Sequence, residues 1–147
     1  MAFDANNFMS TSFRGSNSTE RIRVPEGTWP AVVTDLSVRK VVIDGSDRWV
    51  MEVTWTTTSS EVSAVTKRDK STVRQSCWLD FTPDGSALDM SEGMNVDLGI
   101  LRESLGQNDS SRPWSPSELK GASANIVVVH KSSKGEIYAN VKEVKAF

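Results

Sequence analysis

Cysteine and histidine are almost missing from this chain: Cys77 and His130 are the only ones in 147 residues. A lone cysteine excludes an internal disulfide and suits a reducing compartment. One cysteine and one histidine cannot supply the several ligands at set spacings that a zinc site requires. No apolar run approaches the roughly 20 residues needed for a membrane helix. The opening stretch "MAFDANNFMSTSFRGSNSTERIR" lacks the basic-then-apolar pattern of a secretory signal, so a cytosolic protein is expected. Phosphate-cradling glycine loops are also missing, because "GSDRWV" and "EGMNVDLG" lack the lysine and the spacing.

Other routes to catalysis close in the same way. A nucleophilic pair of Cys77 and His130 is conceivable, but Cys77 falls on the apolar parity of its segment and reads as a core residue. His130 is read as structural. "DFTPDGSALDMSEG" carries four carboxylates, yet their spacing misses the calcium-loop pattern and a solvated turn is expected. The expectation is a protein that is not an enzyme and that has no metal, no cofactor and no small-molecule substrate.

A basic excess is missing too: the net charge is -2. The average hides an asymmetry. Asp80, Asp84, Asp89, Glu92, Asp97, Glu103 and Asp109 are opposed within their stretch only by Arg102. Basic residues gather elsewhere, as Arg39, Lys40 and Arg48, then Lys67, Arg68, Lys70 and Arg74, then Lys131, Lys134, Lys142 and Lys145. Field follows position, so one face can be basic while the total stays acidic.

What is present is a succession of β-branched segments. The length fits one domain with its own core. Residues 1–27 are rich in Ser, Asn and Thr, with isolated Phe3, Phe8 and Phe13, and are expected to form an arm, flexible or docked on a partner. A barrel domain is expected over 28–147. "TWPAVVTDLSVRKVVI" (28–43), the turn "DGSD" and "RWVMEVTWTTT" (48–58) read as a hairpin. "SSEVSAVTKRDKS" reads as a polar, basic loop, and "TVRQSCWLDF" (72–81) as a third strand. Then the period changes: Met94, Leu98, Leu101 and Leu105 line one side of a helix, with Asn95 as N-cap and Gly106 as its end. "SPSELKG" carries a capping box. "ANIVVVHK" and "EIYANVKEVKAF" form a last hairpin through "SSKG".

Five strands with a helix between the third and fourth is the order of the OB-fold, a five-stranded Greek-key barrel. The fold expected is mainly β: an OB-like barrel with an N-terminal arm. Along a barrel strand, side chains alternate inside and outside. Trp49, Met51, Val53 and Trp55 make the apolar parity of the second strand and are expected inside. Val73, Cys77, Leu79 and Phe81 do so in the third, and Ile137, Ala139 and Val141 in the fifth. Trp78 and Tyr138 then point outward, each close to a cation. Exposed aromatics stack bases of any sequence, and cations meet phosphates. The candidate nucleic-acid-binding residues are Trp78, Tyr138, Arg74, Lys67, Arg68, Lys70, Lys131 and Lys142.

The segments "VPEGTWPAVVTDLSVRK", "RWVMEVTWTT", "CWLDF", "LGILRESLGQ", "SELKGASANIVVVHK" and "IYANVKEVKAF" together resemble small phage-encoded proteins of the replication and recombination region. The resemblance covers residues 24–147. It implies an OB-fold protein that binds single-stranded DNA in the cytoplasm of an infected bacterial host, with its site on the outward aromatic and basic positions. Self-association through residues 1–27, anchored by Phe3, Phe8 and Phe13, is the second partner expected. Phe147 follows "KEVKA" rather than an acidic run and is read as a strand end. The rival expectation is a virion structural protein, a decoration or connector barrel whose arm threads along a neighbouring subunit.

Overall fold

The computed structural model describes residues 3–147; residues 1 and 2 of the expected arm lie outside it. The elements run in the order α1 (Ala5–Phe8), β1 (Gly27–Ile43), β2 (Ser46–Thr57), α2 (Ser60–Thr66), β3 (Ser71–Leu79), α3 (Val96–Ser104), a 3₁₀ turn (Pro116–Leu119), β4 (Ser123–Ser133) and β5 (Glu136–Lys145). The five strands close in a ring, in the order β1-β2-β3-β5-β4 and back to β1.

Local chemistry explains the two hairpins. Ile43 pairs with Ser46 and Ser133 with Glu136, which leaves two-residue loops, Asp44-Gly45 and Lys134-Gly135. All four loop residues have positive φ, as a two-residue turn matched to the strand twist requires. The first strand serves two neighbours. Its start pairs with β4, from Gly27↔Val128 to Val32↔Ser123, and its remainder pairs with β2. A bulge between Val33 and Asp35 marks the change, and another lies between Val127 and Val128 in β4. Such bulges bend strands and help a sheet curl into a ring.

Closure is uneven. β2 and β3 pair along nine positions from Trp49↔Leu79 to Thr57↔Ser71, whereas β3 and β5 meet in parallel at Arg74↔Asn140 alone. The core fills the ring with Val33, Met51, Val53, Trp55, Val73, Cys77, Ile126, Val128 and Val141. Trp55 is fully buried, and its indole N–H donates to Gln75 Oε1 at 2.8 Å. Leu98 and Leu101 of α3 join this core, and the helix packs against β3 and β5. After α3, Gly106 takes φ +69; its N–H donates to Glu103 O and that of Gln107 to Arg102 O. That is a Schellman stop, the role expected of this glycine.

Several expectations are corrected. The stretch 59–71 is not all loop: Ser60–Thr66 is a helix whose Val62 is buried. Trp49 is on the expected parity but is 40% exposed, because it pairs with Leu79, where β3 ends. Phe81 lies beyond β3, bridges to Leu88 and is exposed. Ile137 is exposed near the tip of the β4–β5 hairpin, beyond the packed part of β5. Met94 is exposed as well. Asn95 precedes α3 but does not cap it with its side chain. Instead its Oδ1 accepts from Asp80 N–H at 2.8 Å, and its Nδ2 donates to Asp80 O and Asp89 O. It is a staple between the acidic turn and the helix.

No helix among the described residues is long and apolar enough to cross a membrane.

Candidate nucleic-acid interface

The outer face of β1, β2 and β3 follows from register. Arg39 pairs with Val50, and Val50 with Trp78; the next outward row is Ser37, Glu52 and Ser76. Paired residues share a face, so an indole and several cations converge on one outer face, with Val50 buried in the middle of the row. Trp78 is 37% exposed, and the guanidinium of Arg48 lies over its ring, 5.3 Å from the centroid. Glu52 sits between two arginines, accepting from Arg39 Nε and, at 3.4 Å, from Arg74 Nη1. Its side chain is far less exposed than either partner's. One carboxylate therefore offsets part of the charge of two arginines on this face.

The β3–β5 seam, joined at a single residue pair, opens into two cavities. The larger, of about 910 Å³, lies on the Ser71–Arg74 side and is lined by Arg68, Lys70, Arg74 and Tyr138, and by Arg21 and Arg23 from the N-terminal segment. Its lining contains no carboxylate. Among the described residues, Arg21, Arg23, Arg68 and Lys70 form no ion pair; Arg74 alone does, with Glu52. The smaller, of about 490 Å³, lies on the Gln75–Trp78 side and is lined by Trp78, Tyr138, Lys131 and Lys142, with Asp97 and Glu143 opposing the lysines. Tyr138, 44% exposed, borders both cavities.

Seven of the eight predicted positions thus line one seam. Lys67 does not; it ends α2 in a left-handed conformation. Arg21 and Arg23 are the residues that sequence reading missed, because they lie in the arm, more than forty positions before β3. Arg48 was visible as a charge, but nothing local placed it over Trp78.

His130 is held rather than free. Its backbone N–H donates to Glu26 Oε2 at 3.0 Å, and its Nε2 is 2.8 Å from Val24 O. The acidic turns are similarly self-contained. Asp84 accepts from the Thr82 hydroxyl and from the hydroxyl and N–H of Ser86, which hold its carboxyl down at about 2. Asp89 and Asp109 are lowered in the same way by Ser91 and Ser111. Among the described residues no group of three or more His, Cys, Asp or Glu is placed to hold a metal. Burial, with a smaller contribution from Asp97, pushes the Cys77 thiol up to about 12.

Neither a scan against models of known protein families nor a search of curated proteins returns a match.

Proposed function

We propose that this protein binds single-stranded DNA without sequence preference, on an OB-like Greek-key barrel, during phage replication or recombination. One observation carries the reading: a single seam brings Trp78 and Tyr138 together with Arg68, Lys70, Arg74, Lys131 and Lys142. Cations in excess over carboxylates attract a polyanion, Arg68 and Lys70 here forming no ion pair among the described residues, and exposed aromatic rings accept bases of any identity. The strand order β1-β2-β3-β5-β4, with α3 between β3 and β4, supports the OB-like reading. The phage setting and the host cytoplasm rest on the resemblance over residues 24–147. The protein acts by binding, not by catalysis. Phe3, Phe8 and Phe13 form an exposed cluster, with ring centroids 5.7 and 5.9 Å apart in succession. This cluster is the surface through which the arm would self-associate.

The test is a titration of tryptophan fluorescence with oligo-dT at low and high salt. Quenching at low salt that fades as salt rises is the expected result. Unchanged fluorescence and no binding at low salt would overturn the reading in favour of a virion structural protein.

A further inference from the structure

The segment just before β1 is pinned to the barrel at several points. Val24 is buried, and its carbonyl oxygen lies 2.8 Å from His130 Nε2. Glu26 accepts the backbone N–H of His130, and Pro25 O accepts the indole N–H of Trp29 at 2.9 Å. The Trp29 ring lies so close to Gly27 that a Cβ there would come within 2.6 Å of it, and Gly27 has φ +151. A side chain at 27 would collide with the ring and strain the backbone. The chain therefore enters β1 along one defined path, and that path carries Arg21 and Arg23 to the larger cavity opposite Arg68, Lys70 and Arg74.

We infer that Arg21 and Arg23 are phosphate-contacting residues, so that the arm forms one wall of the nucleic-acid site as well as an association surface. The inference rests on the single-strand reading above. Five cations line this cavity from two sides, the arm and the α2–β3 region, with no carboxylate among them. Like charges held across a gap repel one another, and a phosphate chain between them relieves that repulsion. The cavity with Trp78 carries two carboxylates and the indole, which suits bases. The all-cationic cavity suits the backbone. Tyr138 at their junction touches both environments. The His130 ring meets the Val24 carbonyl as one of several contacts that hold this segment.

The experiment measures oligo-dT affinity against salt for the full-length wild type, Arg21→Ala/Arg23→Ala and Arg21→Lys/Arg23→Lys. Each phosphate contact on a single strand contributes about 0.7 to the slope of log K against log salt, so losing two lowers the slope by about 1.4. The affinity gap between wild type and the alanine variant should then narrow about sevenfold between 50 and 200 mM salt. The lysine variant should retain the wild-type slope, because charge rather than guanidinium geometry sets counterion release. Wild-type slope in the alanine variant, with oligo-dT still bound, overturns the arm's role and leaves the single-strand reading standing. Failure of the wild type to bind overturns both.

Discussion

The guanidinium of Arg48 sits over the ring of Trp78 at 5.3 Å from its centroid. A cation–π pair at an exposed site contributes about 0.5–1 kcal/mol. A base stacked on an aromatic ring contributes about 1–3 kcal/mol. On the proposed single-strand reading, a base would displace the guanidinium from the indole and leave Arg48 beside the strand as a further cation.

If Trp78 stacks a base, Trp78→Ala should weaken oligo-dT binding by about 5- to 150-fold, the range that 1–3 kcal/mol implies. Fluorescence anisotropy of a labelled oligonucleotide measures it, since the other four tryptophans do not enter the signal. Unchanged affinity removes Trp78 from the site.

Asn95 is buried and has φ +53, and its side chain makes three hydrogen bonds to backbone groups of Asp80 and Asp89. Asn95→Ala should destabilise the fold by about 2–5 kcal/mol, through the lost bonds and the left-handed backbone. Asn95→Gly should recover about 1 kcal/mol of that loss, because glycine takes positive φ freely. Urea denaturation of the two variants separates the contributions; equal midpoints would show that the backbone conformation carries no cost.

Gln75 lies on the inward parity of β3 and accepts the indole N–H of Trp55. Gln75→Leu keeps the volume and removes the acceptor, stranding a donor beside a fully buried ring. A loss of about 1–3 kcal/mol is expected. A variant as stable as the wild type in thermal unfolding would mean that the indole finds another partner.

Cys77 is buried, and its thiol is pushed from 9.0 up to about 12, first by burial and then by Asp97. The folded state thus favours the neutral thiol. The stability this contributes is fully present below pH 9, where the unfolded thiol is also neutral, and is lost as pH rises from 9 towards 12. The alkaline fall in urea midpoint should be shallower in Cys77→Ala than in wild type. Native Cys77 should also resist thiol reagents at neutral pH and react on unfolding; rapid native labelling would contradict its burial.

Much of this was legible residue by residue. The alternation through Trp49, Met51, Val53 and Trp55 identified the inner face of β2, and the same count put Trp78 outside. Both hairpins were legible in the turn stretches "DGSD" and "SSKG", although the loops are shorter than those stretches: Ser46 and Asp47 belong to β2, and Ser132 and Ser133 to β4. The spacing of Leu98, Leu101 and Leu105 marked α3. These are local properties, set by which way successive side chains point.

The failures share one cause. Trp49 is exposed because β3 stops opposite it, a fact of pairing rather than of β2. The helix at Ser60–Thr66 carries one buried side chain, Val62, too little for a period to show. Asn95 has the chemistry of a cap, yet its partners are Asp80 and Asp89, which only folding brings near. Arg21 and Arg23 reach the cavity because Val24 docks against His130, more than a hundred positions away. Local alternation and turn chemistry determined the strands, the hairpins and the sidedness of the aromatics. The tertiary structure alone decided that β3 and β5 meet at a single pair and leave a cationic seam between them, because ring closure depends on contacts between distant segments that none of those segments specifies by itself.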